Sequence, residues 1–308
     1  MRRGQKRVFF PLLAIALCLC IANVDAGTTL QPPVKLKWHH YRQDTTCKYA
    51  EEFVRHQVEL FWKEDRSITA KLLRLLYSDC FVTGCDASIL LDGPDSEKTA
   101  PQNSGDAVHL AGGPAYPVFT GRRDGVISKA AMVDLPSPSI SGGEALAYFK
   151  SRGLDVLDMG TLLGAHSMGR THCRYILDRL YNFNNTGKPD PSMNKAFADQ
   201  MRKQCPQRTK KGQSDPLVFL NPESGSKYTF TESFYKRVLS YQSVLGVDQQ
   251  LLFSNDTQQI TEEFAGGFEY LRRSFALSMS RMGNINVLTG NAGEIRQNCR
   301  YINNGKPQ

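Results

Sequence analysis

The sequence predicts an all-α fold, and three observations carry that expectation. Apolar residues recur at helical spacing in several long stretches, strand-like alternation is scarce and short, and turn-forming clusters separate the helical stretches. With 308 residues, 41% of them hydrophobic, the chain can bury one large core or two small ones.

Taken in order, residues 1–26 read as a secretory signal. Arg2, Arg3, Lys6 and Arg7 make a basic start, residues 8–21 are apolar, and Val24-Asp25-Ala26 is a small-residue cleavage site. The apolar run is short for a membrane span, and no second run approaches that length, so cleavage rather than anchoring is expected. The mature domain is then 27–308. Within it, residues 50–62 place Phe53, Val54, Val58 and Phe61 on one helical face, and residues 68–79 repeat the pattern with Leu72, Leu75 and Leu76. Arg74, Tyr77 and Ser78 sit at i, i+3 and i+4 on that second helix and project to one side. Residues 79–91 form a cysteine-bounded loop. A further helix starts at Asp155, a capping residue with Asp158 at the third helical position, and runs toward Gly169. Residues 230–244 and 261–282 are helical by period, with turn clusters at 182–191 and 220–227.

A net charge of +8 suits acidic polymers as partners, whereas the lack of an arginine-rich run interleaved with aromatics argues against nucleic acid. Asn184-Asn185-Thr186 and Asn255-Asp256-Thr257 are glycosylation sequons. Six cysteines remain after signal removal, an even number that suits disulfides in an exported chain, though spacing leaves the pairing open.

Residues 74–88 read RLLYSDCFVTGCDAS. This resembles the distal haem-pocket segment of the secreted class III plant peroxidases, R-L-H-F-H-D-C-F-V-x-G-C-D-x-S, with Arg74, Asp79, Cys80, Gly84, Cys85, Asp86 and Ser88 in register. Further likeness follows in family order: LLGAHSMGRTHC at 162–173, RLYNFNNTGKPDPSMN at 179–194, VDQQLLF at 247–253, SMSRMGNINVLTG at 278–290 and GEIRQNC ending at Cys299. The resemblance spans residues 38–303, so chance agreement is negligible.

The resemblance implies a haem peroxidase fold with distal and proximal helical halves around haem b. It makes His166 the iron ligand and Asp248 the carboxylate behind it. His172 matches no ligand position, and His39, His40, His56 and His109 have no such context and read as surface residues. It assigns Arg74 to stabilising charge on peroxide, and Asn103 to orienting a distal histidine. A first calcium site would draw on Asp79, Val82, Gly84, Asp86, Ser88 and Glu97. A second would use Ser167, Glu223, Ser226 and Thr231, a set that has lost a carboxylate relative to the family pattern and binds a dication more weakly. Pro136 matches the proline at the donor rim, and Gly121-Arg122-Arg123-Asp124-Gly125 a structural turn held by ionic contacts. The implied disulfides are Cys80–Cys85 and Cys173–Cys205.

Two departures stand out. The family's distal acid–base histidine is Ser78 here, and a serine hydroxyl is no base near neutral pH. After residue 105 the family carries two more helices, about 30 residues with their connections, that this chain lacks. Cys47 and Cys299 would each pair with a cysteine in that segment and are left single. The expected function is extracellular or cell-wall oxidation of phenolic donors by hydrogen peroxide, in peroxide catabolism and the oxidative stress response. Turnover is expected to be reduced, and the chain monomeric without a stable membrane anchor. Two readings from other classes stay open: a catalytically silent haem or calcium protein, which Ser78 favours, and a defective splice or gene-model product, which the gap and the single thiols favour.

Overall fold

The structure, a computed structural model, describes residues 35–43, 47–103, 118–208, 212–222 and 228–305. The expected signal at 1–26, His109 and the expected gap after residue 105 lie outside the described residues. Among the described residues helices dominate, and four strands there are two or three residues long. β1 (Lys37–Trp38) pairs antiparallel with β2 (Phe119–Thr120), and β3 (Arg170–His172) with β4 (Leu217–Phe219).

α1 (Ala50–Glu64) and α2 (Ile68–Cys80) form the first helical pair. Their apolar spacing sets both helices, but α1 buries none of its residues. The face that was expected to enter a core instead meets solvent: Phe53 is 64% and Val54 59% exposed. A helix face is buried only when another element packs on it, and exposure this high leaves Phe53 and Val54 without such cover. α2 is better seated, with Thr69, Ser78, Asp79 and Cys80 buried.

The core lies mainly in the second half. α3 (Gly142–Ser151) and α4 (Val156–Leu162) each begin with a complete capping box, Ser141 with Glu144 and Asp155 with Asp158. The helix expected to run from Asp155 toward Gly169 stops at Leu162, and a 3₁₀ turn, Leu163–Ser167, carries His166. Gly169 takes φ +89° there, and a Cβ on it would sit 2.8 Å from the Ala70 Cβ of α2, so glycine lets the two halves touch. α5 (Leu177–Tyr181) and α6 (Lys195–Gln204) follow, bridged to their surroundings by Cys173–Cys205. The expected helix 230–244 shortens to α7 (Ser233–Leu239), ended by a turn in which Tyr241 takes φ +58°. α8 (Gly246–Gln249) is a single turn. The expected continuous helix 261–282 is two, α9 (Asn255–Gly266) and α10 (Phe268–Met282), broken where Gly266-Gly267 offers the weakest helix formers in the stretch. α4 packs against α10 and α9, and α9 against α7, around Phe264, Leu271, Tyr235 and Met279.

Candidate active site

His166 stands in the 3₁₀ turn with its side chain 29% exposed, and its Nδ1 lies 2.7 Å from Asp248 Oδ1. A carboxylate can only accept, so Nδ1 carries a proton toward Asp248, leaving Nε2 as the nitrogen turned away from it. No hydrogen bond to Nε2 occurs among the described residues, and the ring lies edge-on to Phe234, centroids 6.4 Å apart. Asp248 sits on α8, buried to 1%, because Val247 N–H donates to Pro138 O and ties that turn to the loop holding Pro136. Pro136 is half-buried on this loop. Beneath the site, Tyr235 donates its hydroxyl to Gly160 O, and burial together with Asp248 keeps that phenol protonated well above its ordinary range. An oriented imidazole with a free Nε2 beside an apolar wall is the donor arrangement of a haem iron ligand, so the residues present fit that group. Phe234 was not singled out from the sequence; its only signal was the helical period of 230–244.

On α2, Ser78 is buried to 3%, and among the described residues none hydrogen-bonds its hydroxyl. Tyr77, one residue earlier, is held by burial at a pKa pushed up to about 12, so it is a poor proton acceptor. Arg74 is exposed, donates to Gln102 O at 2.8 Å and leans over the Tyr77 ring. Asn103 donates its amide to Glu97 O at 3.0 Å, while its Oδ1 is buried without a partner. Asn103 therefore presents an unused acceptor.

Below α2 lies a cluster of acids. Asp79 and Glu97 are buried, and Asp79 Oδ1 and both Glu97 carboxylate oxygens lack hydrogen-bond partners. Burial, reinforced by neighbouring carboxylates, pushes Asp79 up to about 7, and burial with Asp86 nearby pushes Glu97 up to about 7, although Ser88 and Ser128 lie close enough to oppose it. Asp86 Oδ1 accepts from Ser88 N–H, Gly84 O from Asp86 N–H, and Val82 N–H reaches back to Asp79 O. Cys80–Cys85 closes this loop. No basic side chain pairs with the three acids among the described residues. No group of three or more His, Cys, Asp or Glu there is arranged as a metal cage on its own, so a cation would also need hydroxyl and carbonyl oxygens.

Of the second set, Ser167 Oγ is buried and unpartnered, Thr231 Oγ1 is 2.5 Å from Ser233 Oγ, and Glu223 and Ser226 lie outside the described residues. The turn at Gly121–Gly125 is held chiefly by hydrogen bonds to backbone carbonyls rather than by ionic contacts. Arg122 donates to Phe119 O and Gly283 O, Arg123 to Ala292 O and Gly293 O, and Asp124 Oδ2 accepts from Arg296 N–H at 2.9 Å while the two side chains come only within 3.6 Å. Cys47 and Cys299 are free and exposed.

A peroxidase family profile matches residues 54–105 and 104–267. Probable peroxidase 61 of Arabidopsis thaliana is 59% identical over 330 positions, covering 96% of this chain and 97% of its own length. Those 330 positions exceed the chain's 308 residues by 22, so at least that many face no residue here. Probable peroxidase 26 of the same plant is 62% identical, covering 87% and 90%. A peroxidase of Armoracia rusticana is 35% identical, covering 84% of this chain and 90% of its own.

Proposed function

Because this chain belongs to the peroxidase family, whose members are oxidoreductases using hydrogen peroxide, we propose that it is an exported haem b peroxidase of phenolic donors with a weakened distal site. The observation that carries this reading is the His166–Asp248 pair at 2.7 Å. Bound at His166 Nε2, haem would supply the redox chemistry that consumes peroxide and oxidises the donor. Asp248 holds the proton on Nδ1, which fixes the ring and makes Nε2 the better donor. Arg74, a permanent cation, is the residue to stabilise negative charge developing on the peroxide oxygens once it turns inward from Gln102 O.

What is missing is a proton acceptor. A positioned general base contributes about 10²–10⁴ in rate, roughly 3–5 kcal/mol. The buried Ser78 hydroxyl has no base beside it, and the unpartnered Asn103 Oδ1 supports the reading that a ring N–H once belonged there. The acid cluster supports a calcium ion at Asp79, Asp86, Ser88 and Glu97 with the Val82 and Gly84 carbonyls, since buried carboxylates without partners call for a cation. For a second calcium, only the orphaned Ser167 hydroxyl speaks.

Export to the extracellular space or wall rests on the 1–26 signal; no described helix is long and apolar enough to cross a membrane. The net charge of +8 suits acidic wall polymers as its surroundings. Of the two sequons, Asn184 suits glycosylation better, because Asn184, Asn185 and Thr186 are all exposed whereas Thr257 is 3% exposed. The family match that restarts at 104–105, the unfilled alignment positions and an α1 that buries none of its residues support a segment missing after residue 105.

The buried, baseless Ser78 also favours a silent haem protein as a second reading. Haem titration of the mature chain should give a Soret band saturating at one haem per chain, lost in His166→Ala. Rapid mixing with peroxide should then show activation at least about a hundredfold slower than in the Armoracia rusticana relative. A chain that stays colourless sinks the haem assignment. Activation within about tenfold of that relative removes the weakened site, and none at all leaves the silent binder.

A further inference from the structure

We infer that a relay of aromatic rings joins His166 to the surface at Tyr270, and that Tyr270 is a second place where this chain oxidises phenols, those too bulky to reach the pocket. The inference rests on haem binding at His166 as proposed. Phe234 lies edge-on to His166 with centroids 6.4 Å apart, and Tyr235 meets Phe234 at 4.9 Å. Phe264 meets Tyr235 at 5.2 Å, and Tyr270 meets Phe264 at 5.3 Å. These are the ordinary packing distances of aromatic pairs. Phe234, Tyr235 and Phe264 are buried, whereas Tyr270 is 46% exposed, so the series runs from the ligand through the core to water. Phe234 and Tyr235 stand on α7, Phe264 on α9 and Tyr270 on α10. Residues six apart on one continuous helix do not face each other. The break at Gly266-Gly267 is what turns Tyr270 back onto Phe264.

Proton placement decides where the oxidised state rests. A buried phenol that gives up an electron must also give up its proton, since an unpaired charge in the core is costly. Tyr235 has no base to take it: its hydroxyl donates to Gly160 O, a carbonyl, and burial together with Asp248 holds the phenol protonated. Tyr235 therefore passes the demand for an electron outward, with Phe264 as the bridge. At Tyr270 water takes the proton, and the radical rests there. The chemistry balances. Hydrogen peroxide with two electrons and two protons gives two waters. Tyr270 sends one electron inward and releases its phenolic proton to water. Its phenoxyl radical then takes a hydrogen atom from a donor phenol, which leaves as a phenoxyl radical. Two such cycles match one peroxide, the protons released at the surface offsetting those consumed at the pocket. Tyr241 is as exposed, at 51%, but makes no ring contact among the described residues, so exposure without the relay can be tested separately.

The haem-loaded mature chain, treated with peroxide and the spin trap 2-methyl-2-nitrosopropane without donor, should carry an adduct at Tyr270, located by peptide mass spectrometry. Tyr270→Phe should remove that adduct, and Tyr241→Phe should leave it unchanged. Phe264→Leu, which takes one ring out of the series for an aliphatic side chain, should lower it at least about tenfold. In turnover, Tyr270→Phe should slow oxidation of a phenol tethered to dextran at least about tenfold and leave a small phenol within about twofold. A chain that binds haem and consumes peroxide without an adduct at Tyr270 overturns the relay and leaves the haem reading standing. A chain that takes no haem sinks both. An undiminished adduct in Phe264→Leu overturns the route through that ring. Should Phe264→Leu fail to fold, the Tyr270→Phe and Tyr241→Phe comparison decides alone. Should peroxide react too slowly to load the trap, Ser78→His carries the same test.

Discussion

The two halves of this molecule treat their polar and apolar groups differently. In the proximal half the buried charges are paired, and the groups left without partners are chiefly hydroxyls, such as Thr161 Oγ1, Ser167 Oγ and Ser243 Oγ. Arg179, fully buried, meets Asp190 at 2.7 Å and donates to the Ser243 and Val244 carbonyls, and His166 has its carboxylate. Large side chains such as Tyr235, Phe264 and Leu271 are sealed in one cluster. In the distal half, interactions are left open. Asn103 Oδ1, Asp79 Oδ1 and the Glu97 carboxylate oxygens have no hydrogen-bond partners, α1 buries none of its residues, and Cys47 is free. The contrast teaches that a site with two faces can keep one intact while the other loses its partners, because each half is stabilised by its own contacts.

The largest effect should come from filling the distal face. Ser78→His supplies the base that the family pattern has at this position, and peroxide activation measured by rapid mixing should rise about 10²–10⁴-fold. An unchanged rate would place the defect elsewhere than at residue 78.

Next in size is the difference between ion pairs. Asp190→Ala strands a fully buried guanidinium and should cost about 3–5 kcal/mol in denaturant unfolding. In the distal half, Lys71→Ala breaks an exposed pair with Asp65 and should cost no more than about 1 kcal/mol. Comparable losses would erase the asymmetry between the halves.

The smallest expected effect concerns the acid cluster. With calcium removed by chelator, Asp79 and Glu97, both pushed up to about 7, hold protons in the folded state that the unfolded chain has released by about pH 5. The folded state then binds more protons than the unfolded one, so stability falls as pH rises from about 4 through about 7. Adding calcium at about a hundred times its dissociation constant should recover about 2.7 kcal/mol. The gain in Tm should be greater at about pH 8 than at about pH 5; a gain independent of pH would remove the cation from this cluster.

Much of the fold was legible where the pattern is local. The caps at Asp155 and the starts of α1 and α2 follow from neighbours three or four residues away. Helix ends were less so. The break at Gly266-Gly267 and the 3₁₀ turn bearing His166 depend on what packs around them. At the candidate site, Asp248 was reached only through family likeness, since the 82 residues separating it from His166 leave no periodic trace.

By itself, the order of side chains determined the helical class, the peroxidase motifs and the substitution of a hydroxyl for an imidazole at position 78, because each is written in adjacent residues. Only the tertiary structure decided that Phe53 and Val54 of α1 face water, that Glu97 is sealed from it and that Asn103 keeps an idle acceptor. Burial and hydrogen bonding belong to pairs of segments, and a chain read one stretch at a time does not contain its own neighbours.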